Sequence, residues 1–154
     1  MIEIVYYNDW LRCYRNGNVE RLFRGLYWRE VENTDNCNGY NYINIEKKAI
    51  RRHRLIAFCW LALKDIEGES GGTEPIDHIN GNRLNNATDN LRIVTNQQNN
   101  WNQTKAKGYY WYEQTNKWKA QIQVNGKQIH IGYFEQEGDA RQAYLDAKLL
   151  YHVF

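Results

Sequence analysis

The sequence predicts an α+β protein in three parts: a β-rich N-terminal segment, a central strand-loop-strand-helix unit, and a C-terminal three-stranded antiparallel sheet with one helix. Two observations support this class. Short strand-like runs separated by Asn-Gly turns occupy both ends of the chain. Apolar residues at helical spacing are confined to stretches between or after those runs. The predicted boundaries are residues 1–45, 46–104 and 105–154.

The N-terminal segment is expected to form small hairpins. Residues 19–27 and 40–45 have the composition of strands, and turn signals occur at Asn16-Gly17 and Asn38-Gly39. The segment contains no motif that indicates chemistry.

The central part is predicted to begin with an amphipathic helix over residues 46–64, because its apolar side chains recur at helical spacing. Basic residues concentrate in its first half, where they form either a phosphate-facing patch or a solvated helix face. They are Lys47, Lys48, Arg51, Arg52 and Arg54.

After a polar, glycine-rich loop at 67–73, a compact unit follows. It is predicted to contain strands at 74–79 and 91–94, with an Asn-rich loop between them. Thr95 and Gln98 have capping-box spacing, so a helix is expected to begin after Thr95 and to run to about residue 104.

The C-terminal part is predicted to be a meander with one helix laid across it. Strands are expected at 109–113, 118–124 and 128–134, separated by turns at Asn116 and Asn125-Gly126, and a helix over 139–151.

Composition narrows the class of protein. The chain has 154 residues, 42% of them hydrophobic, which suits a folded globular protein, and its net charge of +2 does not by itself indicate a nucleic-acid binder. The three cysteines lack a C-x-x-C pair, so neither a disulfide framework nor a structural zinc site is expected. Without a signal peptide or a long apolar run, we expect an intracellular protein that is not secreted and has no membrane partner.

Chemistry concentrates at the end of the first central strand, where Asp77 and His78 are adjacent. A carboxylate there can hold a hard cation, and an imidazole can take a proton from water near neutral pH. Taken alone, such a pair is more often a turn-capping carboxylate and a half-buried strand histidine. The helix after Thr95 would direct the oxygen of Asn99 toward the same place. An EF-hand is excluded, because Ile79 stands where its second oxygen ligand belongs.

The spacing of Asp77-His78, Asn90 and Asn99 resembles the HNH (ββα-metal) nuclease motif over about residues 50–102. The resemblance implies that His78 is the general base and that Asn90 pins the loop and helps to orient His78. It also implies that Asp77 and Asn99 hold one divalent metal, Mg²⁺ or Mn²⁺, since both ligands are oxygens.

Three arginines are secondary DNA-binding candidates. Arg83 and Arg92 flank the motif and are expected to contact phosphate. Arg54, beside His53, stands where the family usually has the same pair; these two residues either touch DNA or buttress the site.

The C-terminal part resembles the Apetala2-type DNA-binding domain over residues 105–152, through the runs 107–111, 117–122 and 131–134. The resemblance implies that the sheet enters the major groove. Trp118 and Tyr144 are expected to pack between sheet and helix. Tyr, Lys and Gln replace several arginines of the family, so the target sequence is not predicted. The candidate DNA contacts are Tyr110, Lys117, Lys119, Gln121 and Gln123.

Together these resemblances imply a metal-dependent endonuclease acting on double-stranded DNA, of the kind encoded by phages and mobile elements as homing enzymes. One active site per chain suits nicking by a monomer. Two alternatives stay open: a non-catalytic, sequence-specific DNA-binding protein with a vestigial nuclease unit, and a structure-specific nuclease acting on branched DNA. Residues 1–45 are either scaffold or a second DNA contact.

Overall fold

The computed structural model describes residues 1–34, 39–67, 74–101 and 107–152. They form two compact units, Met1–Asn99 and Asn100–Phe154. The mixture of strands and helices confirms the predicted α+β class. No helix in the described part of the chain has the length and apolar character needed to cross a membrane.

The first unit opens with a four-stranded antiparallel meander in which neighbouring strands in sequence are neighbours in the sheet. Residues 19–27, predicted as one strand, form two, because Arg24 (φ 53°) and Gly25 (φ 70°) reverse the chain. The strands are β1 (Ile2–Tyr6), β2 (Asp9–Cys13), β3 (Val19–Phe23) and β4 (Tyr27–Glu30).

A hairpin replaces the first part of the predicted 46–64 helix. Glu46 has a φ of 52° and reverses the chain between β5 (Tyr42–Ile45) and β6 (Lys48–Arg51). Helix α1 covers only Arg52–Trp60. It stops there because Ala62 adopts a left-handed φ of 59°, which ends the helical path. The basic residues at 47–51 therefore lie on a hairpin rather than on a helix.

One apolar core joins the N-terminal sheet to the rest of the first unit. Leu11 and Val19 from the sheet, Leu55 and Ile56 from α1, and Leu91 farther along belong to the same buried cluster. Because each part contributes side chains that are at most 4% exposed, the sheet and the central helix depend on each other for burial.

Arg52 crosses this core as a fully buried cation. Its guanidinium donates to the backbone carbonyl oxygens of Gly17 (3.2 Å), Val31 (2.6 Å) and Glu32 (2.7 Å), and to Oδ1 of Asn41 (2.6 Å). Burial lowers the pKa of Arg52 to about 10, which leaves the side chain charged at neutral pH. The first residue of α1 thus ties the helix to the loops of the N-terminal sheet.

The central unit follows as β7 (Ile76–His78), a 3-10 turn (Thr88–Asn90), β8 (Leu91–Ile93) and α2 (Asn96–Trp101). The capping box before α2 is confirmed: the amide of Thr95 donates to Oε1 of Gln98 (2.9 Å), and the amide of Gln98 donates to Oγ1 of Thr95 (3.2 Å). The predicted extension of this helix to residue 104 lies outside the described residues.

The second unit is a three-stranded antiparallel sheet with one helix, as predicted. Its small core centres on Tyr109, Ala120 and Ala140, and the expected packing of Trp118 and Tyr144 against it is confirmed. The elements are β9 (Tyr109–Tyr112), β10 (Lys117–Val124), β11 (Lys127–Phe134) and α3 (Glu137–Tyr151).

Candidate active site

The β7–β8 hairpin places two titratable side chains inside the protein. Asp77 and His78 are the last two residues of β7 and are only 6% and 5% exposed. The chain turns directly after them, where the amide of Gly81 donates to the carbonyl oxygen of His78 (2.8 Å). A buried carboxylate and a buried imidazole therefore follow one another at the end of a strand, and their roles in catalysis stay predictions.

Asn90 fixes the long connection between β7 and β8. Its Oδ1 accepts a hydrogen bond from the amide of Asn80 (3.0 Å), and its Nδ2 donates to the carbonyl oxygen of Asn85 (2.8 Å). Its own carbonyl oxygen accepts from the amide of Ile79 (2.9 Å). These bonds join the two ends of the loop and support the predicted role of Asn90 as a loop pin; its contribution to catalysis stays a prediction.

The imidazole of His78 lies among other rings and one amide. Its Nε2 is 3.3 Å from Oδ1 of Asn86, and its ring meets that of His53 edge-on, with 5.0 Å between the centroids. Burial lowers the pKa of His78, while the hydrogen bond to Asn86 and the charge of Asp77 act in the opposite direction. A lowered pKa favours the neutral form, which is the form a proton acceptor needs.

His53 supports His78 from α1. Its ring is 4% exposed and also contacts the ring of Tyr40, at 5.3 Å between centroids. Burial, followed by the charges of His78, Arg51 and Arg54, lowers the pKa of His53 to about 3. A buried neutral ring packed on the proposed base suits the buttressing alternative for His53.

Asp77 is paired with Arg92, its partner in the register of β7 and β8. The guanidinium donates from Nε (2.9 Å) and Nη2 (2.6 Å) to the same carboxylate oxygen, Oδ2. Such charge-assisted pairs inside a protein are strong and directional. The structure thus gives Arg92 a contact with the candidate metal ligand; its contact with DNA stays a prediction.

The second predicted metal ligand, Asn99, lies half-buried on α2, where its amide donates to the carbonyl oxygen of Thr95 (2.9 Å). Within the described ranges, no group of three or more His, Cys, Asp or Glu side chains is placed to hold a metal. Carboxylate and amide oxygens are donors that suit Mg²⁺ or Mn²⁺, although in the structure the Asp77 carboxylate is engaged by the guanidinium of Arg92. The two donor types thus suit a hard divalent metal, and ligation by Asp77 and Asn99 stays a prediction.

Arg54 is turned into the protein. It is 6% exposed and donates to the backbone carbonyl oxygens of Asp65, Ile66 (2.8 Å) and Glu74 (3.3 Å), at the two ends of the 67–73 loop. The Arg54 side chain therefore joins residues 65–66 to Glu74, and its contact with DNA stays a prediction.

Arg83 is exposed and lies over the ring of Tyr40, with its guanidinium carbon 4.8 Å from the ring centroid. Exposed Arg51 approaches the same ring at 5.2 Å. Tyr40 in turn contacts His53 and His78. Two cations therefore lie beside the rings around the candidate base. Sequence reasoning could not predict this grouping, because Tyr40 and Arg83 are far apart along the chain.

The C-terminal sheet separates its side chains by face. Trp118, Ala120 and Ile122 alternate with polar residues and lie on the packed face. On the opposite face, Lys119 is the register partner of Tyr110 and Tyr133, and its Nζ lies 5.3 Å from the ring centroid of Tyr112.

The five DNA contacts predicted in the C-terminal part all lie on that solvent-facing surface. Lys117 is drawn toward Glu135 at 3.7 Å. Tyr133, 43% exposed, is a residue that the sequence did not single out. We call this surface the Tyr-Lys-Gln face: Tyr110, Tyr112, Lys117, Lys119, Gln121, Gln123, His130 and Tyr133.

Comparison with known proteins connects the central geometry to a family. Residues 67–101 match the HNH endonuclease family, and the matched segment contains Asp77, His78, Asn90 and Asn99. The chain therefore carries an HNH endonuclease family domain, which supports a nuclease.

Two viral proteins are similar to parts of the chain. Protein 3.8 of Escherichia phage T7 is 38% identical over 60 residues, which are 34% of this chain and 50% of that protein. An uncharacterized HNH endonuclease of Acanthamoeba polyphaga mimivirus is 37% identical over 82 residues, 51% of this chain and 43% of that protein. The chain thus covers half or less of the length of these relatives. No solved structure matches it.

Proposed function

We propose that this chain is a metal-dependent endonuclease that hydrolyses phosphodiester bonds of double-stranded DNA with the HNH domain at 67–101. The observation that carries the proposal is the buried Asp77–His78 pair, in a hairpin whose loop Asn90 pins, within the segment matched by the family. A buried, neutral imidazole beside a carboxylate can activate water next to a bound cation.

In the proposed reaction, His78 takes a proton from a water molecule, and the resulting hydroxide attacks the scissile phosphorus. The bond from phosphorus to the 3′ oxygen breaks, and the leaving oxygen takes up a proton from solvent. His53 and Tyr40 pack on His78 and limit its movement. Arg51 and Arg83 are proposed to bind the phosphates that flank the scissile bond, and their positions beside Tyr40 support this. A divalent metal held by Asp77 and Asn99 would stabilise the negative charge that develops on the phosphate and the leaving oxygen.

The Tyr-Lys-Gln face is proposed to bind DNA separately from the catalytic step. Lysines supply attraction to phosphates, and glutamine side chains can read base edges in the major groove. Exposed tyrosines interleaved with Lys119 give the face both apolar area and charge. This arrangement supports the Apetala2-like reading of residues 105–154 and the five contacts predicted there.

The chain is further proposed to act inside cells as a homing nuclease of a phage or other mobile element. The similarity to two viral proteins supports it. With one candidate base per chain, a monomer would nick one strand, and a double-strand break would take a dimer or two successive cuts.

The test of the proposal is DNA cleavage by the whole chain with Mg²⁺, compared with EDTA and with Asp77→Ala. The substrate is a library of long random DNA, read by sequencing of ends and nicks, since a single plasmid need not contain the target. Metal-dependent breaks that Asp77→Ala abolishes are the expected result. Intact DNA together with measurable binding would instead favour the non-catalytic DNA-binding protein.

The same preparation distinguishes the branched-DNA alternative. Duplex, nicked and branched substrates that carry one recovered target sequence are compared with a matched set that lacks it. Homing activity requires cleavage of the duplex containing the target. Cleavage that depends on branching and not on sequence would replace the homing proposal with a structure-specific nuclease.

A further inference from the structure

We infer that Asn86 is a positioning residue that fixes the tautomer of His78, and that Asn33 from the N-terminal segment holds Asn86 in the orientation this requires. The inference rests on the proposed function of His78 as the general base. Neither asparagine is among the residues that the sequence motif assigns.

The two asparagines and one backbone carbonyl form a closed hydrogen-bond network. Asn86 is 2% exposed, and its Nδ2 donates to the carbonyl oxygen of Leu84 (3.1 Å) and to Oδ1 of Asn33 (3.2 Å). Nδ2 of Asn33 donates to the same carbonyl oxygen (2.8 Å). Oδ1 of Asn86, on the other side of the amide, lies 3.3 Å from Nε2 of His78.

The direction of every bond in this network follows from the backbone carbonyl. A carbonyl oxygen can only accept, so both amides must present their NH₂ groups to Leu84. Rotating the amide of Asn86 by half a turn would point its oxygen at two acceptors, the oxygens of Leu84 and Asn33. The oxygen of Asn86 therefore faces His78.

That orientation decides which nitrogen of His78 can act as a base. Because an amide oxygen cannot donate, Nε2 of His78 carries the hydrogen and donates it to Asn86. A neutral imidazole has one protonated nitrogen, so the lone pair is on Nδ1. Nδ1 is thus the atom that accepts the proton of the attacking water. In this way a second group selects the tautomer of a catalytic histidine.

The N-terminal segment supports the Asn86 loop at a second point. The amide of Thr88 donates to the carbonyl oxygen of Arg15 (2.8 Å), in the turn between β2 and β3. In the same turn, a Cβ at Gly17 would lie 2.7 Å from the carbonyl carbon of Asn86. The loop therefore packs directly on that turn, and the N-terminal sheet serves as scaffold for the base.

The experiment measures the tautomer of His78 by two-bond ¹H–¹⁵N correlation NMR on full-length, histidine-labelled protein. The protein is kept in EDTA without DNA at about pH 8, above the ordinary histidine pKa of about 6.5. We expect wild-type His78 to be neutral with its hydrogen on Nε2. Asn86→Leu, which removes the acceptor, and Asn33→Ala, which frees the amide, should shift its ¹⁵N signals toward a mixture of tautomers. His78→Gln assigns the signals.

Cleavage supplies the second readout. Asn86→Leu should lower kcat by about 10- to 100-fold with DNA affinity retained, which is the usual effect of removing a group that orients a site residue. Asn85→Ser is the matched control: its side chain accepts from the amide of Ala87 and not from His78, so both readouts should stay at wild type.

Two results would overturn the inference: a wild-type His78 with its hydrogen on Nδ1, or wild-type His78 signals in folded Asn86→Leu. If Asn86→Leu does not fold, Asn33→Ala, a change at an exposed side chain, provides the same test. Unchanged signals in that variant would remove Asn33 from the network. Because the NMR samples contain neither metal nor DNA, a chain that cleaves nothing would still report the tautomer. The NMR result therefore distinguishes failure of the nuclease proposal from failure of the inference about Asn86 and His78.

Discussion

In the first unit, charged and polar side chains are built into the interior, whereas in the second they lie on the surface. Among the described residues, every buried polar or charged side chain belongs to Met1–Asn99, and the buried cluster of Asn100–Phe154 consists of Tyr109, Ala120 and Ala140. An internal polar network costs stability unless each group is paired, and once paired it holds side chains in one arrangement. A polar outer face keeps its groups available to a partner. The difference agrees with the proposal that the first unit carries out catalysis and the second unit binds DNA.

Two basic side chains of each unit point in opposite directions: inward in the first unit and toward solvent in the second. Arg52 and Arg54 turn inward and hold backbone carbonyls, so they act as structural cations. Lys117 and Lys119 face solvent on β10. Basic residues are therefore available to a partner only where their side chains are directed away from a core, as the alternating strand pattern does on β10.

The largest effect is expected on the cleavage rate, from a change at the proposed base in the first unit. His78→Ala removes the proposed base and should lower the cleavage rate by about 10²- to 10⁴-fold, while DNA affinity stays near wild type. Single-turnover cleavage and fluorescence-anisotropy binding on the same target DNA measure the two quantities. Loss of both binding and cleavage would indicate that His78 is a structural residue. It would contradict the proposal that the first unit cleaves DNA while the second binds it.

The next effect concerns stability rather than rate. Arg52→Leu leaves the carbonyl oxygens of Gly17 and Val31 and Oδ1 of Asn41 without the Arg52 donor, while the carbonyl oxygen of Glu32 keeps only its bond from Nδ2 of Asn41 (3.3 Å). Each orphaned group costs roughly 1–3 kcal/mol, so we expect the first unit to lose about 3 kcal/mol or more of its free energy of unfolding. Hydrogen exchange resolved by residue should show the loss in residues 1–99 and leave 107–152 protected. Arg29→Leu, at an exposed arginine of β4, should change little.

A structural feature could be predicted from the sequence when the interactions that determine it are between residues close together in the chain. The capping box of Thr95 and Gln98 and the meander with Trp118 in its core follow from near neighbours along the chain, and the structure agrees with them. The site residues Asp77, His78, Asn90 and Asn99 were recognisable through their motif spacing, and the family match covers them.

The errors and omissions have non-local causes. The 46–64 helix prediction was wrong at its start because Glu46 adopts a left-handed conformation, which the apolar spacing does not show. Asn86 was one asparagine among several in its loop. Its importance comes from Asn33, more than fifty positions earlier, and from burial against His78. A single sequence contains no signal for such a pairing.

A smaller effect, for each pH unit, is expected from acidification. Burial lowers the folded-state pKa of His53 to about 3, whereas the unfolded chain titrates near 6.5. Between these values the unfolded state binds the extra proton, so stability is present at neutral pH and is lost as pH falls from about 6.5 toward 3. The slope contributed by His53 is at most about 1.4 kcal/mol per pH unit. Urea unfolding at several pH values should show a shallower dependence in His53→Gln, and equal slopes would contradict an internal neutral His53.

The smallest effect tests the outer face. Lys119→Ala removes one cation that is flanked by Tyr110 and Tyr133 and is proposed to contact phosphate. Losing one phosphate contact should reduce the slope of log affinity against log salt by about 1. Lys127→Ala is the matched control, because Lys127 shares the face of Ile129 on β11 and should leave the slope unchanged. Binding isotherms across a salt series measure both. If Lys127→Ala reduced the slope as much as Lys119→Ala, the charge of the second unit would act without regard to face. DNA binding would then not be confined to one face of the second unit, which contradicts the contrast between a polar interior in the first unit and a binding surface in the second.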